Sequence, residues 1–236
     1  LEKWKKVKDK LQAPRNLEDY FTLKEIAGEE LDILNIGTCS IPSGKLVAGD
    51  SLVTLLDENL IPYIQETPIG EFPVDICVLT NHDRYAAIRI KFNDNKAVYF
   101  ENGMKGNEDL EGEIKEGDFY GFGVDAGMAS ITDIEVQKAY HKFEKKFSEL
   151  NEDGDLYNDY FWDLLEENAK EFPKYQAEYG DWLNWNIPDT EYTMPICASG
   201  WGDGYYPVYF GYDENNNICQ VVVHFIDIDL EFSEEK

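Results

Sequence analysis

SGWGDGYYPVYFGYDENNNICQVVVHF, residues 199–225, decides the fold class. Two runs rich in β-branched and aromatic residues, YYPVYFGY and ICQVVVHFID, flank DENNN, whose Asp and Asn residues favour tight turns. That arrangement is the signature of an antiparallel hairpin. Just upstream, Gly200, Gly202 and Gly204 alternate with Trp201 and Asp203. Glycine permits positive φ and close backbone approach, so this run reads as a sharp corner leading into a strand that begins near Tyr205. Asp203 is expected to hold the corner by accepting backbone amides, and Trp201 to plug it; presenting a ligand platform is the alternative role for the indole. Pro207, which has no N–H, fits an edge position or a bulge.

The β pattern extends outward from this hairpin. PVDICVLTNHDRYAAIRIKF (73–92) reads as two strands joined by a turn at 81–83, because Ala86, Ile88, Ile90 and Phe92 alternate with more polar neighbours. KAVYFE (96–101) adds a third short strand, and DILNIGTCSIPSGKLVAGDSLVTL (32–55) suits strands and turns. GDFYGFGVDAGMASITD (117–133) reads as one buried strand that breaks at 123–127. Then the period changes. Val136, Tyr140, Phe143, Phe147 and Leu150 form one apolar stripe, and a second helix is expected from about 156 to 172, giving a helical insertion over 134–172. At the other end, Trp4, Val7 and Leu11 recur at helical spacing, Pro14 interrupts, and Asn16 offers an N-cap before Gly28. Residues 1–27 are therefore expected to be an N-terminal helical segment. Strands come in blocks and not in βαβ alternation, which points to an α+β fold with a mostly antiparallel, sandwich-like sheet core in one domain, 1–236.

With 236 residues, 43% of them hydrophobic and 14% aromatic, the chain can bury a core without a disulfide or metal staple. No apolar run approaches the roughly 18 residues of a membrane helix, so no membrane partner is expected. Asp plus Glu number 48 against 21 Lys plus Arg, a formal charge of −27. Such a field repels phosphate backbones and attracts basic proteins or multivalent cations, so nucleic acid is not an expected partner. The basic run KWKKVKDK (3–10) reads as a solvated helix turn. Acid concentrates in residues 151–191, where twelve Asp and Glu stand against Lys170 and Lys174 and are interleaved with nine aromatic residues. That mixture reads as a packed, highly charged surface layer. Cys39, Cys77, Cys197 and Cys219 have no C-x-x-C spacing, so they are expected to be buried free thiols of a cytoplasmic protein.

Catalytic and cofactor signatures fail on inspection. GFGVDAG has Ala126 where the dinucleotide fingerprint needs its third glycine, and Ser199 lies in C-A-S-G-W, not in a nucleophile elbow. Counted as a calcium loop from Asp153, the sixth and twelfth positions are Asn158 and Leu164 instead of glycine and glutamate. His82, His141 and His224 have no neighbour at metal-ligand spacing. What recurs is aspartate beside glycine: Asp50 after Gly49, Asp125 within 123–127, and Asp203 between Gly202 and Gly204. Each aspartate is expected to close its own turn through backbone amides. In the alternative arrangement the three turns converge, and their carboxylates share Mg²⁺ or Ca²⁺.

IPSGKLVAGDSLV (41–53), GVDAG (123–127) followed by Asp133, and SGWGDGYYPVYFGYD (199–213) resemble, in this order, the blocks of a bacterial domain-of-unknown-function family, number 4241, over roughly residues 30–230. The resemblance implies a single-domain bacterial protein of the same organisation and implies no activity. Three positions depart from it: Ser51 in place of proline, Met128-Ala129 in place of a small polar pair, and His224 in place of Asp. The functional expectation is a non-enzymatic binding protein without a cofactor, immunity- or antitoxin-like, that masks a basic protein partner. The alternative is a divalent-cation-dependent enzyme or ligand-binding protein. It would use Asp50, Asp125 and Asp203 on the ion and present Trp201, Asp203 and Tyr205 to a ligand.

Overall fold

In the computed structural model, which describes residues 4–233, the chain is α+β and built around two antiparallel sheets. The larger sheet runs in the order β1 (Glu25–Ile26), β2 (Glu29–Ile41), β4 (Gly70–Leu79), β5 (Arg84–Lys91), β12 (Ile218–His224), β11 (Gly204–Tyr212) and β6 (Tyr99–Asn102). An eighth strand, β7 (Gly121–Val124), also pairs with β11. The smaller sheet has the order β3 (Leu46–Asp50), β8 (Met128–Asp133), β10 (Thr193–Ala198) and β9 (Trp182–Asn186). The 199–225 stretch forms the β11–β12 hairpin, with Asn216 in left-handed backbone at φ +59°. Pro207 sits at the end of the β7 pairing, where its missing N–H costs no ladder bond as β11 changes partner from β7 to β6.

Strand alternation splits the apolar side chains of the small sheet between two cores. Leu46, Ala48, Ile131 and Cys197 join the core of the large sheet, which includes Val74, Ile76, Ile88, Ile90, Val221 and Val223. Val47, Leu183, Trp185, Met194 and Ile196 take the other face and pack against Val136, Tyr140, Phe161 and Leu165. Those last four lie in the connection from β8 to β9, on α2 (Ile134–Leu150) and on the π turn Tyr157–Phe161 with α3 (Trp162–Glu171) that follows it. Each such side chain contributes about 1.5–3 kcal/mol on burial, so the helices are held by this face and not by propensity. The two sheets approach closely at a bulge in β2. There Gly37 has φ +109°, and a Cβ would lie 2.3 Å from Nδ2 of Asn184 on β9.

The segment expected to be helical over 1–27 is only partly so among the described residues. Residues 1–3 lie outside the described residues, α1 covers only Trp4–Val7, and the turns Lys8–Lys10 and Leu17–Phe21 are 3-10. Tertiary contacts override the helical spacing. Leu11 is fully buried and Gln12 bridges to Glu101, which draws the chain into an extended strap before Pro14. Asn16 does cap, but it caps the second 3-10 turn, accepting Glu18 N at 3.0 Å. This strap covers the outer face of the large sheet. Phe21 lies 4.1 Å from the Arg89 guanidinium, and Gln220 donates to Glu18 at 2.5 Å. With both faces covered, β5 is buried at six of its eight positions, so its alternation is masked. Within the basic run, Lys8 is paired with Glu101 and Lys10 donates to the Ile114 carbonyl.

The stretch 117–133 breaks within 123–127, as expected from its glycines. Its two halves, β7 and β8, belong to different sheets, and the glycine-rich break is where the chain crosses between them. No helix among the described residues is long and apolar enough to cross a membrane.

Candidate functional site

At one end of the small sheet the three glycine–aspartate turns meet. Ser51 N donates to Met128 O at 2.9 Å, Ser199 N to Gly127 O at 3.0 Å, and Gly204 pairs with Val124. The backbones converge, but the carboxylates do not point to one place. Asp50 is fully buried; its Oδ1 accepts Leu52 N at 2.8 Å, and its Oδ2 accepts Asp125 N at 2.8 Å and Ala126 N at 2.6 Å. It therefore fastens its own turn and the β7–β8 crossing together. Asp125 and Asp203 are exposed. Among the described residues, no group of three or more His, Cys, Asp or Glu is placed to hold a metal ion.

Asp203 does not hold its corner as expected, and it makes no hydrogen bond or ion pair among the described residues. Ser199 and Tyr206 hold the corner instead. Ser199 Oγ donates to Gly202 O at 2.8 Å, and the Tyr206 hydroxyl lies 2.7 Å from Gly202 O and 3.1 Å from Ser199 O. Gly200 at φ +52° and Gly202 at φ +108° supply the left-handed backbone. The 43–45 turn is fastened in the same way by a buried carboxylate from another block. Asp133 accepts Ser43 N and Gly44 N at 2.9 Å, the Ser43 hydroxyl at 2.8 Å, and Glu135 N at 2.9 Å, the last as the N-cap of α2. Sequence reasoning named Asp133 without assigning it a role. Its place just before a helical stripe was the available signal.

Trp201 is not a plug, because it is 51% exposed. The space behind the corner is already filled: a Cβ on Gly200 would lie 3.0 Å from atoms of both Phe225 and Ile226. The indole instead stands outside, with the Arg84 guanidinium 5.7 Å and the His82 ring 6.1 Å from it. Beside it opens a cleft of ≈230 Å³ whose lining includes Asp83, Arg84, Asp181 and residues 198–202. Tyr205 faces a different cavity, of ≈300 Å³. It stacks on Phe119 with 5.9 Å between centroids, and its hydroxyl accepts Gly121 N at 3.0 Å. Trp201, Asp203 and Tyr205 therefore do not form one ligand site. Trp201 and Asp203 lie in the turn before β11 and only Tyr205 is on the strand, so the i, i+2 alternation of a strand does not align the three.

The second cavity holds groups that sequence reasoning did not nominate. His224, only 5% exposed, lies at its back with Nε2 2.8 Å from the Tyr20 hydroxyl. Burial pushes its pKa down to about 4, so it is neutral at physiological pH. Tyr209 is 2% exposed, lines the cavity and makes no hydrogen bond among the described residues; burial pushes its phenol above the usual range. Elsewhere, all four cysteines are free and buried, and desolvation raises their thiols, Cys77 to about 12 and Cys219 to about 11. Such thiols are poor nucleophiles.

No curated protein and no solved structure matches the chain. The family model described as Protein of unknown function (DUF4241) matches residues 39–223, from within β2 to within β12. That span contains Asp50, Asp133 and the Ser199–Tyr206 corner. The chain belongs to the DUF4241 family.

Proposed function

We propose that this chain is a non-enzymatic binding protein, a bacterial immunity- or antitoxin-like factor acting in the cytoplasm, and that it masks a basic protein partner with the acidic face around α3. One observation carries the reading. Asp159, Asp163, Glu167 and Glu171 recur every fourth residue, all four are exposed, and none is paired with a cation among the described residues. Three adjacent like-charge pairs at this spacing cost the isolated helix roughly 0.2–0.5 kcal/mol each. The stripe is flanked by rings left partly in water: Trp162 and Tyr179, 5.2 Å apart, and Phe172, 48% exposed. Unpaired acids steer a cationic partner, and half-exposed aromatics anchor it. Phe161, Trp182 and Trp185 of the same segment are buried and serve packing.

The divalent-cation reading draws less support, because Asp50 is closed to solvent and occupied by three amides. The test is association between this protein and basic proteins encoded beside it, measured by calorimetry at low and high salt. Binding that weakens steeply with salt, and weakens again in Asp163→Asn/Glu167→Gln/Glu171→Gln, supports masking through α3. Absence of any salt-sensitive association refutes it.

A further inference from the structure

We propose that the cavity between Tyr205 and His224 is a binding site for a small organic cation of the alkylammonium or quaternary-ammonium class. It is independent of the α3 face. Its walls come from the N-terminal strap at Gln12 and Pro14, the loop at 117–119, β11, and the C-terminal helix α4 (Ile228–Phe232) with the residues before it. At ≈300 Å³ it is at the small end of ligand pockets.

Three features select the ligand. Aromatic residues dominate the lining, with Tyr205 and Tyr209 on one face of β11 and Phe119 stacked on Tyr205. Ring faces are electronegative and favour cations within about 6 Å, more so when water is excluded. Asp227 is the one formally charged residue of the lining. Its Oδ1 accepts Leu230 N at 3.1 Å, and Oδ2 takes part in no hydrogen bond among the described residues. Arg15, next to Pro14, is already paired with Asp19 and Asp229, so it does not neutralise Asp227. The third feature is the Tyr209 phenol, which lines the cavity and makes no hydrogen bond among the described residues. Its hydroxyl is therefore free to donate to or accept from a bound polar molecule.

Other ligands fit less well. An anion would meet Asp227 and the −27 field of the whole chain. A hard divalent metal needs several oxygen ligands and would find a single carboxylate. His224 supplies no competing positive charge, because burial keeps it neutral.

The probe is choline chloride, titrated into the full chain at constant ionic strength and followed by the aromatic NMR signals of Tyr205 and Tyr209. Its uncharged carbon isostere, dimethylbutanol, and NaCl are the controls. Choline is expected to saturate those signals, with the isostere binding about tenfold more weakly. Asp227→Asn is expected to weaken choline about fivefold while leaving the unfolding midpoint unchanged, because asparagine also caps α4. Tyr205→Ala, which removes a ring 54% exposed at the mouth, should weaken it as well. The proposal is overturned if choline does not bind, if the isostere or NaCl produces the same shifts at the same concentration, or if Asp227→Asn retains wild-type affinity.

Discussion

Replacing Asp50 by asparagine tests whether the aspartates of the glycine turns are fasteners. The carboxylate accepts three backbone N–H groups while fully buried. Hydrogen bonds to a charged acceptor contribute about 1.5–3 kcal/mol each, and a buried donor left unpaired costs about 1–3 kcal/mol. Asparagine keeps one carbonyl oxygen, which can serve Asp125 N and Ala126 N, but its amide nitrogen then faces Leu52 N, donor against donor. One hydrogen bond and the negative charge are lost, and the expected destabilisation is about 3 kcal/mol. In a chain of this length that corresponds to a midpoint lower by roughly 6–12 °C. Urea and thermal unfolding, read by tryptophan fluorescence, measure it directly. Each protein should also be melted with EDTA, Mg²⁺ and Ca²⁺. A specific ion at a hundredfold excess over its dissociation constant would add about 2.7 kcal/mol to the wild type. The fastener reading expects no such gain. It is refuted if Asp50→Asn unfolds within about 1 kcal/mol of wild type, or if an ion stabilises the wild type and not the variant.

Trp201→Ala should change stability by less than about 1 kcal/mol, since the indole is half in water; a loss near 3 kcal/mol would restore the plug. Gly121→Ala would place a Cβ 2.2 Å from the Tyr206 carbonyl oxygen and push β7 off β11. It should cost about 2–4 kcal/mol and deprotect the β7 amides in hydrogen exchange, whereas Gly123→Ala, with open space around it, should be tolerated. His224 titrates at about 4 in the folded state against about 6.5 unfolded, so below pH 6.5 the unfolded chain binds a proton that the folded chain refuses. That contribution to stability is complete above pH 6.5 and is lost as pH falls towards 4, a difference of about 3 kcal/mol. His224→Gln should therefore lose less stability than wild type over that range, and parallel pH curves would contradict the assignment.

Local signals carried most of the β framework. The 199–225 hairpin, the 73–92 hairpin and the apolar stripe beginning at Val136 were each legible, because turn chemistry and side-chain period are written within a few residues. The α+β class followed from their order along the chain. The N-terminal strap was not legible. The spacing of Trp4, Val7 and Leu11 is helical, but Leu11 is buried with Met104 and Ile114, and Leu17 and Tyr20 join the core of the large sheet, where Tyr20 bonds Ile226 O. The division of 117–133 between two sheets was hidden for the same reason, since pairing partners are long-range. At the site, sequence alone placed glycines and aspartates together in pairs, and it could not give the direction of a carboxylate. Asp50 and Asp203 look alike in sequence, each beside a glycine. The fold buries one among three amides and leaves the other in water, because only the first faces a neighbouring turn whose N–H groups have no strand partner.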